Sequence, residues 1–347
     1  MIKLIRYKGN PILSPNPQNE WEDKAVFNPG TILVDGKVYL LYRAVGEYDS
    51  YISQIGLAIS EDGFNFKRTS NKPLIKPEKG YDKWACEDPR ITQIGNTFYI
   101  TYVALAQRIR EGGKPTYEVI HHLNSQTALL TTKDFVHFKR HGIITPKNSD
   151  NRDVVIFPEK INNKFVVIHR PHRWSKNWFK NPLSKNVKVD IPVKYEDLPR
   201  RPAVWIAYAN DLTKDWFGHK LIVRSHREED EKTGAGPPPI KTDKGWLLIY
   251  HRVKRNKKND IVYTARMVLL DLKNPSKVIA KTPYDILKPE EEYEIKGDVD
   301  NVVFPTGTII KKGTLFIYYG AADKKIALAT IELNKLLKEL LSARRKN

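Results

Sequence analysis

The sequence predicts an all-β chain folded as a five-bladed β-propeller with a short C-terminal helix. Three observations carry this. A strand–turn–strand unit led by proline recurs every 60 to 80 residues: FNPGTILVDGKVYLLYR (27–43), EDPRITQIGNTFYITYV (87–103), FPEKINNKFVVIHR (157–170), GPPPIKTDKGWLLIYHR (236–252) and FPTGTIIKKGTLFIYYG (304–320). Repetition at such a period marks arrays and propellers. Each unit carries a hairpin turn between β-branched and aromatic runs. Past the last repeat, leucines recur at helical spacing.

The elements follow in order. The units open at Pro29, Pro89, Pro158, Pro238 and Pro305, and the turns are VDGK (34–37), IGNT (94–97), INNK (161–164), TDKG (242–245) and IKKG (310–313). Gly and Asn tolerate the positive φ such turns need. The second strands are KVYLLYR, TFYITYV, KFVVIHR, WLLIYHR and TLFIYYG. Third and fourth strands follow in 55–68, 127–140, 205–218 and 263–275, so five blades of four strands fill residues 1–333. Residues 172–203 are a polar, proline-bearing insertion in the third repeat, expected to lie over one face. Residues 334–347 read as a helical tail. The stripe Leu333, Leu336, Leu337, Leu340 and Leu341 predicts packing on the propeller rim, the alternative being a contact in a homo-oligomer.

Bulk properties narrow the function. The net charge of +19 calls for an anionic partner or a solvated lysine-rich surface. The lysines form no stripe and no nucleic-acid motif, so nucleic acid is excluded in favour of a field that concentrates a small anion. No apolar run approaches the ~18–20 residues of a membrane span. The start, MIKLIRYKGNPILSPN, lacks the apolar stretch of a signal peptide. Cys86 is the one cysteine, read as a small buried residue, and its isolation suits a reducing, cytoplasmic location.

Equivalent blade ends converge on the axis. Asn28, Arg43, Glu87, Asp88, Arg90, Arg152, Asp153, His169, Arg170, His251, Arg252 and Asp323 recur there, and such residues make poor core. Acids are few and bases many. Asp88 is the candidate acid, and Arg43, Arg152, Arg170 and His251 face it at matched positions. Guanidinium groups bind phosphate by bidentate, charge-assisted hydrogen bonds. Phosphate is already a nucleophile, so one acid plus an anion site suffices for phosphorolysis. Lys232 and the KTGAGPPPI turn (232–240) add a charge and a close backbone approach. Arg90 is read as a structural corner paired with Glu87 or a neighbour. His121 and His122 read as loop residues, and no metal-ligand spacing is present.

FNPG, EDPR, the HRP at 169–171, GAGPPPIKTDKGWLLIYH, LLDL and NVVFPTG followed by YYGAAD, in this order, resemble glycoside hydrolase family 130 over residues ~10–333. That is a family of inverting β-mannoside phosphorylases on five-bladed propellers. The resemblance implies that Asp88 is the general acid, its proton relayed through a hydroxyl of the mannosyl ring. It implies that Asn28, Arg43 and Asp323 contact the sugar, and that Arg152, Arg170, Lys232 and His251, with Tyr263 close by, bind phosphate. Two positions depart from the family pattern: Arg252 stands where a small residue is usual, and TARMVLLDL lacks the Tyr-Arg-x-Gly lead-in. The expectation is a hexosyl transfer from a β-1,4- or β-1,2-linked mannoside to inorganic phosphate, giving α-mannose 1-phosphate, with no cofactor. The alternatives are a hydrolase, its base Glu228, Glu229 or Asp230, and a non-catalytic glycan-binding propeller.

Overall fold

The computed structural model describes residues 2–106, 110–111, 114–115, 125–181, 184–185, 188–225 and 230–343. Five antiparallel sheets stand as blades around one axis. Blade one comprises Ala25–Val34, Lys37–Val45, Ser53–Ser60 and Lys67–Arg68; blade two Ala85–Ile94, Thr97–Leu105, Gln126–Thr132 and Phe138–Ile143. Blade three comprises Asn151–Ile156, Phe165–Pro171, Val204–Ala209 and Phe217–Val223. In blade four the inner strand is split by the Pro237–Pro239 run into Asp230–Ala235 and Ile240–Thr242, both paired with Gly245–Arg255, and Ile261–Leu270 and Val278–Lys281 follow. Proline lacks the N–H a ladder requires, which is why the strand divides there.

Blade five departs from simple succession. Val303–Lys311, Thr314–Ala321 and Lys325–Glu332 supply three strands, and the fourth comes from the other end of the chain, Ile5–Arg6 paired with Ala329 and Thr330. The hairpin turns form where Asp35–Gly36, Asn162–Asn163 and Lys312–Gly313 take positive φ. The helix Leu333–Ala343 buries Leu336, Leu337 and Leu340 in the apolar layer between blades four and five, as the leucine stripe required for packing on the rim.

Side chains alternate along each second strand, and one face of each blade meets its neighbour in an apolar layer. A polar triad recurs inside these layers. Tyr42 donates to buried Glu22 at 2.9 Å, which also takes Arg68 at 2.8 Å. Tyr102 donates to Asp82 at 2.6 Å, which takes Arg140 at 2.6 Å. Tyr319 donates to Glu294 at 2.7 Å, which takes Arg6 at 2.8 Å. Burial, with the adjoining acidic groups, pushes all three phenols up, so they stay donors. At the same register in blade three stands His169, bonded to Asn151 at 2.9 Å and to His219 at 3.1 Å, with Trp174 and Trp216 edge-on.

The inner strands touch across the axis. A Cβ on Gly30 would lie 2.5 Å from the Pro89 carbonyl, on Gly307 2.8 Å from that of Pro29, and on Gly236 2.7 Å from that of Pro305. Only glycine permits such an approach.

Candidate active site

Three inner strands carry the same irregularity. The ladder slips between Phe27 and Gly30, between Glu87 and Arg90, and between Arg152 and Val155. Within each bulge one residue is left-handed: Asn28 at φ 49°, Asp88 at φ 51° and Asp153 at φ 56°. Asn and Asp tolerate that conformation best among residues with a side chain. The third unit is therefore marked by Asp153–Val154 and not by Pro158, which lies beyond the end of its strand. The bulges turn three polar groups out of the ladder together.

Around Asp88, Asn28 donates from Nδ2 to Oδ1 at 2.8 Å and Arg43 reaches the same oxygen at 3.3 Å. Gly320 makes this possible, since a Cβ there would lie 2.0 Å from Asn28 Oδ1. Arg43 is buried, with its guanidinium 4.7 Å from the Phe27 ring centre, and it bonds Glu87 at 2.5 Å and Ser53 at 2.9 Å. Burial alone would lower its pKa, but Glu87 and Asp88 hold it raised. Asp323, half-buried and left-handed at φ 49°, completes this side. Burial, then Asp88, Asp298 and Glu87, push its carboxyl up to about 7 against the pull of Arg43.

Across Glu87 lies a basic group. Arg152 stands 3.7 Å from the second Glu87 oxygen and donates to Ser125 at 2.8 Å. Arg170 donates to Asp153 at 2.6 Å, and His251 Nε2 is 3.8 Å from the same Asp153 oxygen. Burial would raise Asp153, yet Arg170, by charge and hydrogen bond, keeps it below the usual carboxylate range. His251 is held down to about 3, by burial first and by Arg170, Lys232 and Arg90, so its ring is neutral. Its Nδ1 has no hydrogen-bond partner among the described residues. The ring lies parallel to Tyr263 at 6.0 Å, and Lys232 Nζ sits 5.7 Å from the Tyr263 centroid. Gly234 must lack a side chain here, because a Cβ would fall 2.0 Å from Asp153 Oδ2 and 2.4 Å from His251 Cε1.

A cavity of about 310 Å³ opens beside Lys232 and Tyr263. The insertion forms part of its wall with Ser175, Asn177, Trp178 and Asn181, as expected of a segment lying over one face. The insertion is not wholly polar, for Trp174 and Leu198 anchor it on Trp205. His172 also lines the cavity; burial first, then Arg170, Lys232 and Arg152 against Asp150, hold it down to about 4. Reading the blade register overlooked His172 because it lies past the strand end, in the insertion. Its only signal was the spacing of two from Arg170.

Asn28, Arg43, Asp88 and Asp323 thus gather on one side, and Arg152, Arg170, Lys232, His251 and Tyr263 on the other. Three expectations need correction. His169 points away from the axis, since it precedes inward-facing Arg170 in an alternating strand. Arg252 likewise follows inward-facing His251 and turns outward, to Asp230 and Asp285. Arg90 is a structural corner, as read, its partners being the Gly236 carbonyl at 2.9 Å and that of neighbouring Asp88 at 3.0 Å rather than Glu87, which ties blade two to blade four. Asp230 is buried against Arg252, and so is no base for a water. Glu228, Glu229, His121 and His122 lie outside the described residues.

Five antiparallel blades with polar side chains gathered at their axis define a five-bladed propeller with an axial site. The model of glycoside hydrolase family 130, described as β-1,4-mannooligosaccharide phosphorylase, matches residues 6–341. A 1,2-β-oligomannan phosphorylase of Thermoanaerobacter sp. (strain X514) is 36% identical, over 97% of this chain and 99% of its own. A β-1,2-mannobiose phosphorylase of the same organism is 38% identical with the same coverage. The structure of β-1,2-mannobiose phosphorylase from Listeria innocua, in complex with β-1,2-mannobiose, superposes with a TM-score of 0.75 at 28% identity, over 97% of this chain and 99% of that one. The chain belongs to glycoside hydrolase family 130 and is an enzyme of that family.

Proposed function

We propose that this enzyme is an inverting β-mannoside phosphorylase acting on β-1,2-linked manno-oligosaccharides, with residues 1–333 as its catalytic propeller. One observation carries the reading: a single carboxylate, Asp88, faces a basic group whose own described carboxylates are engaged. Arg170 holds Asp153, Arg43 holds Glu87, Arg201 and Arg255 hold Glu231, and Ser125 bonds Asp150. That leaves cations for an anion and, among the described carboxylates of this basic group, no free base for water. The β-1,2 linkage is supported by the identities of 36% and 38% to the two Thermoanaerobacter relatives. A Ruminococcus albus β-1,4-mannooligosaccharide phosphorylase is 28% identical.

Asn28, Arg43 and Asp323 hold the mannosyl hydroxyls. Arg152, Arg170, Lys232 and neutral His251, with Tyr263, hold inorganic phosphate on the opposite side of C1. A phosphate oxygen bonds to C1 as the bond from C1 to the acceptor oxygen breaks; a mannosyl hydroxyl passes its proton to the departing oxygen and is reprotonated by Asp88. Attack opposite the leaving group inverts the centre and gives α-mannose 1-phosphate. The developing positive charge at C1 is stabilised by the phosphate itself. No cofactor takes part.

The test is product analysis of β-1,2- and β-1,4-mannobiose with and without inorganic phosphate. Phosphate-dependent α-mannose 1-phosphate from the β-1,2 substrate is expected. Equal release of free mannose in both buffers would overturn the reading. Asp88→Asn should lower kcat by about 10²–10⁴-fold, the range of general acid catalysis, with the fold intact.

A further inference from the structure

Beside the sugar side of the site, three elements from opposite ends of the chain meet. Tyr48, in the loop after the second strand of blade one, donates to Asp298 Oδ1 at 2.8 Å. Lys324 Nζ donates to the same oxygen at 3.0 Å and also bonds the Tyr48 hydroxyl. The Asp298 side chain is 8% exposed and its Oδ2 is buried with no hydrogen-bond partner among the described residues. A carboxylate held by one oxygen, with the other left open, is poorly compensated unless a further proton donor is at hand.

The backbone explains why this group matters to the site. Asp298 rides on a loop seated against the turn Ala322–Asp323, both of whose residues are left-handed, at φ 48° and 49°. Val299 N donates to the Ala322 carbonyl at 3.2 Å, and a Cβ on Gly297 would lie 2.2 Å from that oxygen. Tyr48 stacks on Tyr51 at 6.2 Å, and Tyr51 lies under the Arg43 guanidinium at 5.8 Å. A continuous set of contacts therefore joins Asp298 to Arg43 and so to Asp88. The charges bearing on Asp323 are Arg43, Asp88, Glu87 and Asp298, with Lys324 adjoining it in the chain.

We propose that Asp298 is a positioning residue of the sugar subsite: pinned by Tyr48 and Lys324, it controls the placement and the ionisation of Asp323. This rests on the phosphorylase reading, in which Asp323 meets the mannosyl hydroxyls. A carboxyl that keeps its proton near neutrality donates to a hydroxyl oxygen, whereas its ionised form only accepts. Asp298 disfavours the ionised form as a like charge, a contribution that adds to the effect of burial.

The test is the pH profile of kcat/KM for β-mannobiose at saturating phosphate. Asp298→Asn removes the neighbouring negative charge, so the Asp323 limb should move to lower pH, the direction set by loss of a like charge. Lys324→Met removes a cation and should move the same limb upward, which keeps the question open to test if the first variant does not fold. Tyr48→Phe leaves the charges unchanged and should raise KM several-fold without moving the limb. An active wild type whose limb stays fixed in the folded charge variants overturns the inference alone. A wild type without phosphorolytic activity overturns both it and the proposed function.

Discussion

Gly234→Ala tests whether the Asp153 cluster holds the phosphate side. The added methyl carbon would sit 2.0 Å from Asp153 Oδ2, 2.4 Å from His251 Cε1 and 2.9 Å from Arg170 Nε, where ordinary contact begins near 3.4 Å. The carboxylate must therefore retreat by more than an ångström, and its 2.6 Å bond to Arg170 breaks. Overpacking of this kind costs about 1–3 kcal/mol of stability. An ångström of misplacement in a reacting group costs roughly 10²-fold in rate. Phosphate-saturation curves at fixed β-mannobiose should show kcat/KM for phosphate down by about two orders of magnitude. The affinity for the sugar, bound on the Asp88 side, should change little. Gly236→Ala is the control: its Cβ would strike the Pro305 carbonyl at 2.7 Å, so it should destabilise the fold without singling out phosphate. A wild-type KM for phosphate in folded Gly234→Ala would refute the assignment of that cluster.

Further outcomes follow from the same contacts. Arg6→Ala leaves buried Glu294 without its cation, a change worth roughly 3 kcal/mol, and should lower the midpoint of urea unfolding accordingly. His251 and His172 have folded pKa values of about 3 and about 4, below the ordinary 6.5, so they contribute stability above pH 6.5 that is lost as the pH falls through those values. His251→Gln should flatten the acid side of a denaturant-midpoint-against-pH curve. Asp323 acts in the opposite sense: its folded value of about 7 lies above the ordinary 3.8, so its contribution is full below that value and lost as the pH rises toward neutrality. Arg170→Ala should raise KM for phosphate with a smaller effect on the mannoside, read from paired saturation curves.

Much of this fold was legible in the residues because local chemistry and global topology agree. Asp-Gly and Asn-Asn turns with alternating strands announced the hairpins, and the tyrosines Tyr42, Tyr102, Tyr250 and Tyr319 fall at one register of the second strands. What escaped was which neighbour faces inward. The pairs His169–Arg170 and His251–Arg252 read alike but sit one residue out of step, so Arg170 and His251 face the axis while the others turn away. Only the bulges settle that register, and in blade three Val154 replaces the proline that marks the bulge elsewhere. The last strand was hidden too, because the two-residue Ile5–Arg6 segment carries no periodicity of its own.

The closure of blade five by Ile5–Arg6 has a consequence for biosynthesis. The proposed sugar side joins Asn28 in the first blade to Gly320 and Asp323 in the last, and Tyr48 to Asp298 and Lys324. The proposed phosphate side, from Arg152 to Tyr263, lies within blades three and four. A chain still leaving the ribosome holds the second group in sequence-near contacts well before it can close the first. Contacts of high sequence separation form late because loop closure must precede them. On the proposed roles, a chain halted before Gly320 holds the residues of its anion pocket and lacks those that complete the sugar side. That side is completed only when the two ends of the ring meet.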